Sequence, residues 1–311
     1  MDPLPLQFYG DPLPDVDISE LQGKLVVIEG PDAVGRSTQV ARLRTWLEES
    51  GHAVLDTGMA RSALAGKGIQ QAKEGNTFGP VTMTLFYATD FADRLENEII
   101  PALRAGFVVL TDRYIFSIIA RAIARGEDRR WIENVAGFAL VPHVVYYLRA
   151  DVPDLVSRVV FGRGQFDYWE SGMDLGVSTD MYDSFVKYQA KLIRALDSMS
   201  SRYGFVTIDA SRTPDAIFND LQRSIAQFFS DIKLPKVAQA SRSAAAPVRQ
   251  PAAPQAAPPA APVPQSARPT ARQSARPATT AAPTPPRKYP AGSGSPRQSP
   301  ARSRPRTRPA P

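Results

Sequence analysis

The sequence predicts an α/β fold of three layers, a five-stranded, mostly parallel sheet with helices on both faces. Three observations predict it. Short β-branched apolar runs recur along the first 234 residues, stretches with apolar residues at helical spacing separate them, and a glycine-rich loop joins the first run to the first helix. Strands that alternate with helices need crossover connections, which cover both faces and leave the carboxyl ends of the strands as the ligand edge.

Residues 1–23 read as an N-terminal extension, because Pro3, Pro5, Pro12 and Pro14 prevent regular helix until a turn at Ile18 to Leu21. Leu25-Val26-Val27-Ile28 is the first strand, a run suited to burial on both faces. Val40, Leu43 and Leu47 follow at helical spacing, and Gly51 closes that helix. A second strand is expected over 53–57. Residues 82–103 carry Leu85, Leu95, Ile99 and Leu103 on one helical face, and the third strand, 107–111, runs into Asp112. Runs at 144–148 and 205–208 complete the five strands. Helices are expected near 115–125, 130–139, 152–160, 179–203 and 214–229, the last with Thr213 as N-cap and Pro214 in its first turn.

Charge divides the chain. From residue 235 onward there are 13 Lys+Arg, 19 Pro and no Asp or Glu; the 24 basic and 31 acidic residues before it leave a body of about −7 and a tail of +13. The tail, 235–311, is poor in large apolar residues, and the expectation is a disordered Pro/Ala/Arg-rich segment. Its scattered Arg suit salt-sensitive contacts with nucleic acid or acidic proteins, and Pro283 to Lys288 has a PxxPx[RK] appearance, set against the plainer reading of a solvated tail. The absence of Cys excludes a disulfide framework and a Cys-ligated zinc, and two His make a histidine metal site a poor reading. Without an 18-residue apolar stretch or a basic, apolar start, the expectation is a cytoplasmic protein with no membrane partner.

The chemistry sits in Gly30-Pro31-Asp32-Ala33-Val34-Gly35-Arg36-Ser37-Thr38, which fits G-x-x-x-x-G-K-[ST] except for Arg36 in place of Lys. Glycines at both ends let the backbone curl so that its N–H groups face phosphate oxygens, with the positive end of the next helix behind them. The pattern predicts a P-loop NTPase sheet, a nucleotide phosphate bound over 30–38, and Ser37 as a Mg²⁺ ligand. Arg36 keeps the charge but presents a planar fork on a longer stem. Asp112, at the end of an apolar strand, is the second candidate metal ligand, against the alternative of a helix cap; Arg113 after it suits an anionic acceptor.

The blocks VVIEGPDAVGRSTQ (26–39), EIIPALRAG (98–106) and VVLTDRY (108–114) resemble thymidylate kinase, a P-loop nucleoside monophosphate kinase, and thinner similarity through 138–151 and TIDASRT (207–213) extends this over most of 24–230. The resemblance implies a kinase domain over 24–234 that transfers the γ-phosphate of ATP to dTMP with Mg²⁺, as a homodimer. It implies that Arg36 and Arg163 are catalytic, with Asp112 on the magnesium side. It also places Asp32, Arg61, Tyr87 and Arg113 at the acceptor, with Tyr87 stacking on the base. Residues 163–170, with Asp167 and Glu170, resemble a lid.

The departures cluster on the acceptor side. The Arg-Glu-Pro-Gly-Gly signature after the second strand is replaced by Thr57 to Ser62, where Arg61 alone carries charge; Phe91 and Tyr168 stand where Arg is usual; and the Tyr-Gln pair reads Arg121-Ala122. Two alternatives therefore stand: a kinase for a different nucleotide, and a nucleotide-binding pseudoenzyme that works through its tail. Phe166 to Glu170 reads equally as ligand contact or lid packing. Tyr182, Phe185, Tyr188 and Leu192 form a stripe that reads as core, and His52 and His143 as surface or satisfied core residues.

Overall fold

The computed structural model describes residues 6–75 and 78–229, so the expectations for the tail lie outside the described residues. Strands β1 (Lys24–Glu29), β2 (Val54–Gly58), β3 (Val108–Asp112), β4 (Val144–Arg149) and β5 (Val206–Asp209) form one sheet in the order β2-β3-β1-β4-β5. All its pairings are parallel. Each strand lies within two residues of its expected position. Both faces are covered, as alternation along β1 makes plain: Leu25 and Val27 join one buried cluster, Val26 and Ile28 the other.

The helices are α1 (Arg36–Glu49), α2 (Gly66–Gly75), α3 (Pro80–Arg94), α4 (Ile100–Arg104), α5 (Ile115–Ala124), α6 (Arg129–Val135), α7 (Val152–Arg158), α8 (Met181–Tyr203) and α9 (Pro214–Phe228). The expected 82–103 helix is interrupted by a π turn at Leu95–Ile99, and a second π turn, Val159–Arg163, extends α7. Helix α6 is shorter than expected, since the chain turns at Ala136-Gly137. Helix α2 was not expected from sequence: Gly66, Gly68 and Gly75 oppose helix, and the burial of Ile69 and Ala72 overrides them. Helix α8 starts from Asp180, whose carboxylate accepts from Asp183 N–H at 2.7 Å. On α9 the expected cap is present, with Thr213 accepting from Ala216 N–H at 3.3 Å.

The N-terminal segment is built onto the body rather than trailing from it. Tyr9 N–H donates to Ala139 O at 3.0 Å, Gly10 N–H to Gly137 O at 2.7 Å, and Val141 N–H to Gln7 O at 2.6 Å. Leu6 and Leu21 are buried, and Tyr9 packs edge-on against Phe116 and Tyr203. Among the described residues no helix is long and apolar enough to cross a membrane.

Candidate active site

The glycine loop leaves β1 at its carboxyl end. Gly30 has φ +155 and a Cβ there would stand 2.7 Å from Leu148 O; Gly35 has φ +95, so both ends of the loop hold conformations that side chains disfavour. Ala33 adopts φ 63 between them. Val34 is buried in the core and pins the middle of the loop. From α7, Arg158 Nη1 donates to Val34 O at 2.5 Å and Nη2 to Ala210 O, tying the loop to the end of β5.

Arg36 opens α1 and points back under the loop. Its Nε donates to Asp112 Oδ1 at 2.8 Å, and its Nη1 donates to Gly30 O at 2.7 Å and to Pro31 O. Ser37 Oγ donates to Asp112 Oδ2 at 2.6 Å. The parallel register that sets Ile28 opposite Asp112 brings the carboxylate there from β3. Burial favours the neutral acid, but Arg36 and Arg113 outweigh it and hold Asp112 below the usual carboxylate range. A hydroxyl and an ionised carboxylate side by side are the oxygen donors that Mg²⁺ takes. Pro31, Ala33 and Thr38 complete the loop, and Thr38 lies on the exposed side of α1.

Asp32 is fully buried and turns to the other side. Its Oδ1 accepts from Arg113 Nη2 and, at 2.8 Å, from Arg121 Nη2; its Oδ2 accepts from Gln189 Nε2 at 3.0 Å. Burial again favours the neutral acid, yet the guanidinium groups of Arg113, Arg121 and Arg36 keep Asp32 ionised far below the ordinary range. Arg113 itself sits at φ 75, a strained backbone for a long side chain, held by its N–H to Ile28 O at 3.1 Å. Glu29 fixes the same turn from beneath. It is fully buried, accepts from Tyr114 N–H at 2.8 Å, Ser117 N–H at 3.1 Å and Ser117 Oγ at 2.6 Å, and so caps α5; burial raises its pKa.

Between these groups lies a cavity of about 160 Å³ lined by residues that include Asp32, Tyr87, Arg113, Arg121, Lys73 and Trp169. Tyr87 gives it an aromatic wall with Lys73 Nζ 5.9 Å from the ring centroid. Trp169, from the lid segment, donates from Nε1 to Lys73 O at 2.8 Å and closes the cavity opposite. Asp167 accepts from the N–H groups of Trp169 and Glu170, both at 2.9 Å, which sets the lid turn.

The expected residues therefore separate. Loop 30–38, Arg36, Ser37 and Asp112 form one cluster, and Asp32, Tyr87 and Arg113 converge on the adjoining cavity. Arg163 pairs instead with Glu170 Oε2 at 2.6 Å within the half-exposed lid, and Arg61 pairs outward with Asp56 at 3.0 Å rather than lining the cavity. Phe91 is buried against Tyr114 and Phe138, and Tyr182 is exposed, whereas Phe185, Tyr188 and Leu192 are core. His143 is a satisfied, partly buried residue that accepts from Leu25 N–H at 2.9 Å. The sequence reading missed Glu29, Gln189, Arg158 and the inward course of Arg121. A signal existed for Gln189, a polar residue one turn from Phe185 on an apolar helical face; for Arg158 there was none.

Comparison with known proteins agrees with this geometry. The family model of thymidylate kinase matches residues 28–220. A "Probable thymidylate kinase 2" of Saccharolobus solfataricus is 29% identical over 212 residues, covering 68% of this chain and 99% of its own. The "Thymidylate kinase" of Clavibacter sepedonicus is 35% identical over 158 residues, 49% of this chain and 74% of its own. The "Probable thymidylate kinase" of Thermococcus gammatolerans is 35% identical over 146 residues, 44% and 70% respectively. The family match over residues 28–220, on an all-parallel five-stranded sheet, shows that this chain belongs to the thymidylate kinase family, phosphotransferases that act on nucleoside monophosphates.

Proposed function

We propose that this protein transfers the γ-phosphoryl group of ATP to dTMP, giving ADP and dTDP. The observation that carries the reading is the adjacency of two charged clusters at one strand edge, Arg36-Ser37-Asp112 under the glycine loop and Asp32-Arg113 in the aromatic-walled cavity. An acceptor phosphate oxygen forms the new P–O bond as the bond to the ADP oxygen breaks, so the residues align two anions and neutralise charge on the transferring oxygens. No general base is required, because the acceptor phosphate is already an anion at neutral pH. Ser37 and Asp112 are the residues to hold Mg²⁺, which supplies charge neutralisation at the donor phosphates when bound. Arg36 covers the loop side, and Arg163 reaches the donor only if the lid swings from its pairing with Glu170.

A kinase for another monophosphate is the second reading, favoured by the burial of Phe91 in the core and by Arg121 in the acceptor cavity. ADP release coupled to a panel of nucleoside monophosphates tests both: turnover highest with dTMP supports the first, turnover with a different acceptor the second. Nucleotide binding without acceptor-dependent turnover overturns both and supports a pseudoenzyme. Exposed Val81 and Leu85 on the first turns of α3 support a homodimer through that face; a monomeric mass in light scattering overturns it.

A further inference from the structure

Two arginines share one carboxylate oxygen in the acceptor cavity. Arg113 Nη2 and Arg121 Nη2 both donate to Asp32 Oδ1, while Gln189 takes Oδ2. Two buried guanidinium groups, whose side chains are 12% and 10% exposed, thus converge on one carboxylate oxygen. Each also keeps a buried N–H without a partner: Nη1 of Arg113 and Nε of Arg121. Buried donors of charged groups are nearly always satisfied, and leaving one unmet is costly. Both side chains line the cavity that Tyr87 and Trp169 wall. Holding Asp32 in place would need one guanidinium, and the structure spends two.

We propose that Arg121 is a second ligand for the acceptor phosphate, forming with Arg113 a two-guanidinium clamp for a phosphate monoester dianion. The edges of the two forks that line the cavity are the donors that the anion takes up, and Asp32 is the post that holds both forks in place. Arginine suits this task because its planar fork can bond a carboxylate with one edge and phosphate with another. The position is one where the family resemblance gives a Tyr, so the clamp belongs to this chain's own departures on the acceptor side. Selection then rests on the phosphate more heavily than a single-arginine site would allow.

The inference rests on the reading of this cavity as an acceptor site, and the test separates the two. Affinities for dTMP and for thymidine, which lacks the phosphate, are measured by calorimetry on the unaltered protein, Arg121→Met and Arg121→Lys. Expected is a roughly ten- to hundredfold loss of dTMP affinity in Arg121→Met, a smaller loss in Arg121→Lys, and thymidine affinity moved much less in both. Equal losses for dTMP and thymidine mean that Arg121 merely shapes the pocket, and that overturns the clamp; so does dTMP affinity that survives Arg121→Met. If the unaltered protein binds no nucleoside monophosphate, the acceptor reading itself fails and the clamp falls with it.

Discussion

Gln189 holds Asp32 by both ends: its Oε1 accepts from the Asp32 N–H at 3.3 Å and its Nε2 donates to the carboxylate at 3.0 Å. The same Nε2 donates to Glu170 O at 2.7 Å, so one amide on α8 joins the glycine loop to the lid. Gln189→Leu fills the same space but leaves an N–H and a carboxylate oxygen unpaired in a buried site. Stability should fall by about 1–3 kcal/mol, and the KM for the acceptor should rise more than the KM for ATP. Denaturant unfolding and steady-state kinetics check the two parts; an unchanged unfolding midpoint rejects the link.

Arg36 should be indispensable to turnover. Arg36→Ala removes the contacts to Asp112 and to the loop carbonyls together, and turnover in the coupled assay should fall by about two orders of magnitude or more. Arg36→Lys keeps a cation but no fork, and should fall between the two. Turnover of Arg36→Ala equal to that of the unaltered protein takes Arg36 out of the mechanism.

The anchored N-terminal segment should contribute to stability. Tyr9 is half-buried between Phe116 and Tyr203, and Tyr9→Ala should cost about 2 kcal/mol, below the range for a fully buried aromatic because part of the ring is already in water. A thermal unfolding midpoint that does not move would show the segment to be loosely attached.

His143 should make the protein sensitive to mild acid. Burial, with Lys24 nearby, pushes its pKa down from the ordinary 6.5 to about 4. Between those values the unfolded chain binds a proton that the folded one refuses, so this contribution is fully present above pH 6.5 and shrinks as the pH falls toward 4. The loss is about 2 kcal/mol once the solvent that reaches the half-buried ring is allowed for. His143→Asn keeps an acceptor for Leu25 N–H without titrating, and urea unfolding at pH 6.5 and 4.5 should show a smaller drop for it than for the unaltered protein.

Legibility followed the range of the interactions. The strands and the long helices were visible because each carries its own apolar pattern, and the glycine loop because its spacing is a local backbone requirement. Helix α2 was hidden by its glycines, since only burial of Ile69 and Ala72 decides it. On the acceptor side, Arg121 counted as a lost Tyr in sequence but proved to be a gained cation, because its partner Asp32 is 89 positions away. Arg61 shows the opposite case: it pairs with a local acid, Asp56, and is not among the residues that line the cavity.

The pairing of Phe8 with Leu140 also constrains the order of events on the ribosome. The docking groove for residues 7–10 is made by residues 137–141, so those residues stay unpartnered until the groove has been translated. At about 5–20 residues per second the wait is roughly 6 to 26 seconds, during which Leu6 and Tyr9 are open to chaperones and proteases.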